Sequence, residues 1–202
     1  MNSDHSIEKA LALWREQGGM LRTRDALALG IHPRTLYAMR DAGLLERLER
    51  GLYRLVDLPP LSDPDLVIVA HKIPNAVICL ISALAFHELV TQVPHLVSIA
   101  LERGDRRPKL EYPPIQVFWF SGSAWSQGVE TEMIEGTPVH IYGPAKSVAD
   151  SFKFRQQIGL DVALEALRAY RQSAGFDPQE LLRYARVCRV ERVIKPYLEA
   201  TL

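Results

Sequence analysis

The stretch at residues 31–55, IHPRTLYAMRDAGLLERLERGLYRL, decides the fold of the N-terminal part of the chain. Pro33 is favoured at the first position of a helix, where its missing N–H would be unpaired anyway, and Gly43 is suited to end that helix. Two strand-length pieces then flank Arg50 and Gly51, a pair typical of a turn. The stretch therefore predicts a helix over 33–42 followed by a β-hairpin.

A second short helix precedes this unit. In TRDALALG, residues 23–30, Thr23 can cap a helix and Gly30 can end it. Because only two residues separate Gly30 from Pro33, the two helices are joined by a tight turn, which is a helix-turn-helix signature. With a further helix over about 6–17 and the hairpin as a wing, residues 1–57 are predicted to form a winged helix-turn-helix domain.

Basic charge is concentrated in this small unit. The whole chain has no net charge, with 24 basic and 24 acidic residues, yet residues 20–56 hold seven arginines against four acids. Helical spacing places Arg34 and Tyr37 opposite the apolar side of the third helix. Such a helix fits the DNA major groove, where Arg34 could contact a guanine edge and flanking arginines could contact phosphates. The predicted DNA-binding residues are Arg22, Arg24, Arg34, Thr35, Tyr37, Arg40, Arg50 and Arg54. Alternatively, the domain serves protein contacts, and its arginines pair with Asp41, Glu46 and Glu49.

The remainder of the chain is predicted to be a separate α+β domain over 58–202. DLPPLSDPD at 57–65 has the composition of a linker. Helical segments, two apolar strands and a hairpin turning at Glu135 and Gly136 follow, and several helices complete the chain. No apolar run is long enough to span a membrane, and no secretory signal is recognisable, so a cytoplasmic location is expected. Cys79 and Cys188 are expected to be reduced core thiols.

Motifs for catalysis are missing from the sequence. It contains no HExxH, no Walker-type phosphate loop, no GxGxxG and no GxSxG. We therefore expect a binding protein with no catalytic residues, no metal site and no cofactor.

Two polar patterns in the second half of the chain are candidate binding sites for a partner. Lys146, Asp150, Lys153 and Gln157 recur at helical spacing, which is typical of a solvated face and less often of a binding site. From Arg183 onward a basic residue stands at every third position to Lys195, with Glu191 opposing. This row predicts a broad basic surface, and solvated arginine stems over apolar surface explain it equally well.

The chain also resembles the AbiEi-like antitoxins of type IV toxin–antitoxin systems. The resemblance lies in residues 30–55, in AVICLISALAFHELVTQVP at 76–94, in IYGPAKSVADSFKFRQQIGLDVALEALRAYR at 141–171 and in LLRYARVCRVERVIKPYLEA at 181–200. Ser147 and Ser151 depart from the threonine and cysteine expected there.

The resemblance implies a repressor that binds inverted repeats in the promoter of its own operon, which favours two copies on DNA. It also implies a C-terminal domain that counters a nucleotidyltransferase toxin, by direct contact or otherwise. The surface implied for that role comprises Lys146, Asp150, Lys153, Arg155, Arg183, Arg186 and Arg189.

Two other functions compete with this one. A ligand-responsive winged-helix regulator without a toxin partner would have an apolar pocket near Trp119, Phe120 and Trp125. An enzyme acting on nucleic acid would use Asp150 and Lys153. Nothing in the sequence requires either of them.

Overall fold

A computed structural model describes residues 2–200 of the chain, which form a mixed α+β structure. The described residues contain one three-stranded and one five-stranded sheet, each packed against helices. The α+β class predicted from the sequence is therefore confirmed.

The first part of the chain places helices around the smaller sheet. Its elements are α1 (Asn2–Glu16), β1 (Met20–Arg22), α2 (Thr23–Ala28), α3 (Pro33–Asp41), β2 (Leu45–Glu49) and β3 (Leu52–Leu55). All three strands are antiparallel, in the order β1-β3-β2. Trp14, Leu36 and Met39 are buried between the helices and this sheet. The helices and the hairpin lie where the sequence predicted them, whereas β1 was not predicted.

Local chemistry explains the start of α3 and the shape of the hairpin. His32 Nδ1 accepts a hydrogen bond from the backbone N–H of Arg34 at 3.2 Å, and Pro33 follows His32 at the first helical position. The hairpin turns at Gly51, whose φ of 73° is readily adopted by glycine. A register shift between Arg47 and Glu49 bends β2. Glu49, at the end of β2, is buried.

The second part of the chain contains the larger sheet and most of the helices. In order it forms α4 (Pro64–Lys72), β4 (Val77–Ile78), α5 (Leu80–Phe86), β5 (Val97–Glu102), β6 (Ile115–Phe120), α6 (Ser123–Ser126), β7 (Val129–Ile134), β8 (Thr137–Tyr142), α7 (Pro144–Lys153), α8 (Arg155–Ile158), α9 (Leu160–Gln172), α10 (Pro178–Val187) and α11 (Glu191–Ala200). The strand order is β6-β5-β4-β8-β7. Strands β5 and β6 are parallel, as are β4 and β8, while the other neighbours are antiparallel.

One apolar core lies on the larger sheet, and another surrounds α7. One contains α4 and the sheet residues Ile78, Ile99 and Ile141. The other lies around α7, where Val148, Ala149 and Phe152 pack with residues of α5, α9, α10 and α11. Helix α7 is thus surrounded by other elements on most sides.

The two parts of the chain share apolar contacts and ion pairs. Met20 and Leu52 belong to the same buried cluster as residues of α4. Lys72, at the end of α4, forms an ion pair with the buried carboxylate of Glu49 and donates a hydrogen bond to the Arg50 carbonyl. These contacts tie the β2–β3 hairpin to the second part of the chain.

Two further expectations concern the membrane and the cysteines. Among residues 2–200, no helix combines the length and apolar character that a membrane crossing requires. Cys79 and Cys188 are both free and buried, as predicted.

Candidate nucleic-acid interface

Helix α3 presents a polar face to solvent. Leu36 and Met39 are buried against the first core, while Arg34, Tyr37 and Arg40 are exposed and Thr35 is half-buried. Tyr37 is 46% exposed, a large value for an aromatic side chain. Exposed aromatic and basic side chains on one helix face supply both stacking and hydrogen-bonding groups to a partner.

The two arginines of α3 differ in their surroundings. Arg40 donates to Asp41 Oδ1 from Nε at 2.8 Å and from Nη2 at 2.6 Å, and its guanidinium lies 5.1 Å from the centre of the Tyr37 ring. The hydrogen bonds that Arg40 donates to Asp41 raise the pKa of Arg40. Arg34 has no ion pair among the described residues. The guanidinium of Arg34 is therefore available to a ligand. Arg40 must first break its hydrogen bonds with Asp41 before it can bind one.

Arg22 and Arg24 share one carboxylate at the start of α2. Asp25 accepts from Arg22 Nε at 2.6 Å and from Arg24 Nε at 3.3 Å. Arg24 is exposed, and Arg22 is half-buried. The backbone N–H of Thr23 donates to the Gly51 carbonyl at 2.9 Å, so the start of α2 lies beside the hairpin turn.

The arginines of the β2–β3 hairpin have opposite environments. Arg50 is exposed at the turn, and its Nη1 is 3.7 Å from the exposed carboxylate of Glu111. Arg54 is only 5% exposed, donates to Glu46 Oε1 at 2.9 Å and also bonds to the Pro59 carbonyl. The prediction that Arg54 contacts DNA is therefore wrong for this conformation. The segment after β3 crosses the face to which Arg54 points and covers its guanidinium.

The polar stripe predicted on α7 is not a surface. Lys146 and Asp150 are both 0% exposed, so neither the solvated face nor a directly contacted partner surface describes them. Their Nζ and Oδ2 atoms are 2.5 Å apart. Lys153 at the end of α7 and Arg155 at the start of α8 are half-buried, and Arg155 Nη1 donates to the Phe152 carbonyl at 2.6 Å. The first two residues of the predicted stripe therefore form an ion pair inside the protein.

The ion pair belongs to a buried polar cluster. Asp150 Oδ1 accepts from Cys188 Sγ at 3.0 Å, and Lys146 Nζ lies 3.9 Å from the centre of the Tyr142 ring. Burial raises the pKa of Asp150 and outweighs the opposing effect of Lys146. Burial also raises the pKa of Cys188, and the charge of Asp150 adds to that rise. The cluster joins β8, α7 and the end of α10.

The basic row after residue 180 lies on two helices. Helix α10 ends at Val187 and α11 begins at Glu191, with Arg189 exposed between them at a φ of 60°. Arg183 is paired with Glu180 at 3.0 Å, and Arg186 with Glu191 at 3.3 Å. Arg183, Arg186 and Arg189 are therefore accessible to a partner, although two of them already have anionic neighbours.

The pocket that a ligand-responsive regulator requires was expected near Phe120. Phe120 is instead buried, with its ring centre 5.6 Å from that of Tyr142 and 5.2 Å from that of Phe154. A cavity of about 470 Å³ lies elsewhere, between the start of α4 and the segment after α5, and Phe86 and Val93 contribute to its lining.

One group of basic residues was missed in the sequence. The loop between β5 and β6 contains RGDRRPKLE at 103–111, and its Arg107 and Lys109 line a second cavity together with Arg50. A local charge count over this loop would have revealed the cluster. Its position beside the hairpin depends on tertiary packing and could not be predicted.

Comparisons with known proteins found a family match in the first part of the chain. Residues 8–56 match the model of a protein family described as a transcriptional regulator, AbiEi antitoxin. No curated protein matches the chain. Among solved structures, the crystal structure of the RV2827C protein from Mycobacterium tuberculosis is similar with a TM-score of 0.53 and 14% identity, over 94% of this chain and 79% of that chain. At this identity the likeness is one of fold. The resemblance to the AbiEi family is confirmed over residues 8–56.

Proposed function

We propose that this protein is a DNA-binding transcriptional regulator and the antitoxin of a type IV toxin–antitoxin system. The observation that carries the proposal is the exposed face of α3 within the segment that matches the regulator family. On this proposal residues 1–57 act as a winged helix-turn-helix domain, with the β2–β3 hairpin as its wing. Residues 58–202 form the antitoxin domain.

In the proposed complex α3 lies in the major groove. Arg34 donates to a guanine edge, because it is exposed and has no competing carboxylate among the described residues. Tyr37 and Thr35 contact neighbouring bases or phosphates. Arg40 exchanges its bond with Asp41 for one with the DNA backbone.

The contacts with the DNA backbone come from the flanks of α3. Arg24 at the start of α2 and Arg50 in the wing are exposed, and the Thr23–Gly51 hydrogen bond joins the two segments that carry them. Arg22 contributes less, since it is half-buried and paired with Asp25. Inverted repeats in the operator would bring two copies of the protein together on one DNA duplex.

The proposed antitoxin role rests on binding and not on catalysis. Asp150 is fully buried and paired with Lys146, so it is not accessible to a substrate in this conformation. A nucleotidyltransferase toxin would instead meet exposed groups on the terminal helices, of which Arg183, Arg186 and Arg189 are the proposed contacts. Lys153 and Arg155 are half-buried and would contribute less.

Two measurements test the proposal separately. The first is binding of the full chain to the DNA upstream of its own reading frame, measured against a random duplex of equal length. Tighter binding to the upstream DNA is expected, and equal affinity would contradict a repressor. The second is bacterial growth with the adjacent reading frame induced, alone and with this protein. Growth arrest that this protein relieves is expected, and a harmless neighbour at confirmed expression would contradict the antitoxin role.

The cavity of about 470 Å³ favours a second candidate function, a regulator that responds to a small molecule. Its lining combines apolar groups such as Val90 and Leu96 with the carboxylates of Asp63 and Asp65. Such a site would suit an amphipathic cation. A thermal stabilisation by small amines, together with a change in DNA affinity, would favour this function over the antitoxin.

A further inference from the structure

The loop between β5 and β6 is rich in basic residues and lies beside the tip of the β2–β3 hairpin. Arg103, Arg106, Arg107 and Lys109 are exposed and have no ion pair among the described residues. Over 103–111 the loop has these four cations against the two acids Asp105 and Glu111. Unpaired cations clustered on one short loop create a local positive potential in a chain that has no net charge.

A cavity joins this loop to the hairpin. It has a volume of about 550 Å³ and is lined by Glu49 and Arg50 of the hairpin, Lys72 of α4, residues 107–111 of the loop and Ile115. The hairpin and the loop are far apart in sequence, yet their cationic side chains face one space. This space is large enough for a phosphate group and its ordered water.

The charges in the cavity do not cancel. Lys72 neutralises the buried carboxylate of Glu49 and also bonds to the Arg50 carbonyl. Glu111 then remains as the acid that opposes Arg50, Arg107 and Lys109. Its contact with Arg50 is 3.7 Å long between mostly exposed side chains, so it is weak and screened by salt. The cavity thus keeps a positive excess that an anion would compensate.

The position of the cavity indicates which anion would bind there. The hairpin turn is hydrogen-bonded to the start of α2, so the cavity adjoins the segment that carries Arg24 in the proposed DNA-binding unit. We propose that Arg107 and Lys109 form, together with Arg50, a binding site for the backbone phosphates of duplex DNA. This inference rests on the proposed DNA-binding function and extends it, because it makes the second part of the chain a contributor to the DNA interface. The ion pair between Lys72 and Glu49 holds α4 and the hairpin together, and both residues line the same cavity.

Salt dependence of DNA binding provides the test. The full chain is titrated at a series of KCl concentrations against the duplex upstream of its own reading frame and against a random duplex of equal length. The variants are Arg107→Gln/Lys109→Gln and a control, Arg168→Gln, which removes a positive charge from an exposed position on α9.

The proposal has a quantitative expectation. Each lost phosphate contact lowers the slope of log K against log salt by about 0.9, so the loop variant should lose about 1.8 on both duplexes while the control keeps the parent slope. Glu111→Gln should tighten binding to both duplexes, a gain that impaired folding cannot produce.

Other results would overturn the inference. If the salt slope of the loop variant equals that of the control, Arg107 and Lys109 do not bind phosphate. A loss of affinity confined to the upstream duplex would also contradict the phosphate site, because it would indicate a base contact. A parent protein that binds neither duplex contradicts the proposed function itself, and this outcome is visible before any variant is made.

Discussion

Lys146 Nζ and Asp150 Oδ2 lie 2.5 Å apart inside α7, and both side chains are completely buried. The same carboxylate accepts from the thiol of Cys188 at the end of α10, and the ammonium group lies over the ring of Tyr142. Because each charge has partners on other elements, the pair fixes α7 against β8 and α10. The two residues are structural in this conformation.

Replacing one member of this pair should strongly destabilise the fold. Asp150→Asn leaves the ammonium group of Lys146 buried without a carboxylate, and we expect a loss of about 3–5 kcal/mol in the free energy of unfolding. Urea denaturation measures this loss, with the exposed Glu199→Gln as the control. An unchanged unfolding free energy together with lost activity would contradict the structural role and favour the enzyme hypothesis.

Arg34→Ala should weaken binding to the specific operator by about 1–3 kcal/mol, with little change on random DNA, because it removes a base contact. Quantitative binding to both duplexes measures the difference, and Arg168→Ala on α9 is the matched control. An equal loss on both duplexes would assign Arg34 to a phosphate instead.

The sequence predicted elements well where the signals are local. Asp177 before Pro178 is a local signal for the start of a helix, and Asp177 Oδ1 does accept from the N–H groups of Gln179 and Glu180 at 2.8 and 3.1 Å. The short spacing between Gly30 and Pro33 likewise predicted two separate helices, which the structure contains as α2 and α3. Caps and turns involve neighbours in sequence, so their chemistry can be read without a tertiary structure.

Burial was much harder to predict. Lys146 and Asp150 have the four-residue spacing of an ordinary surface ion pair, and only the packing of α5, α9 and α10 around α7 encloses them. Arg54 alternates with apolar residues as an outward-facing strand residue should. The segment that ends at Pro59 then covers it, which alternation cannot reveal.

Two arginines of the hairpin provide a matched comparison. Arg54→Ala leaves the Pro59 carbonyl and Glu46 without their donor, so we expect a loss of roughly 1–3 kcal/mol in the free energy of unfolding. The salt dependence of DNA binding should not change. Arg50→Ala should do the reverse, lowering the salt slope by about 0.9 without loss of stability, since Arg50 is exposed. A lowered salt slope in folded Arg54→Ala would restore Arg54 to the DNA interface.

His71 should make stability depend on pH. Its ring lies 3.2 Å from Thr137 Oγ1, and burial, aided by the charge of Arg22, lowers its pKa. The unfolded chain therefore binds a proton near the usual histidine pKa of about 6.5, while the folded protein resists it. Because the unfolded state then holds more protons, stability contributed by neutral His71 is present above that pH and is lost as the pH falls toward the folded pKa.

The comparison of His71→Gln with the parent chain isolates this effect from other titrating groups. Melting temperatures measured between pH 7.5 and pH 5 should fall less in the variant than in the parent, and His95→Gln, at an exposed position, should behave as the parent does. Parallel curves for the parent and His71→Gln would show that His71 is protonated equally in both states.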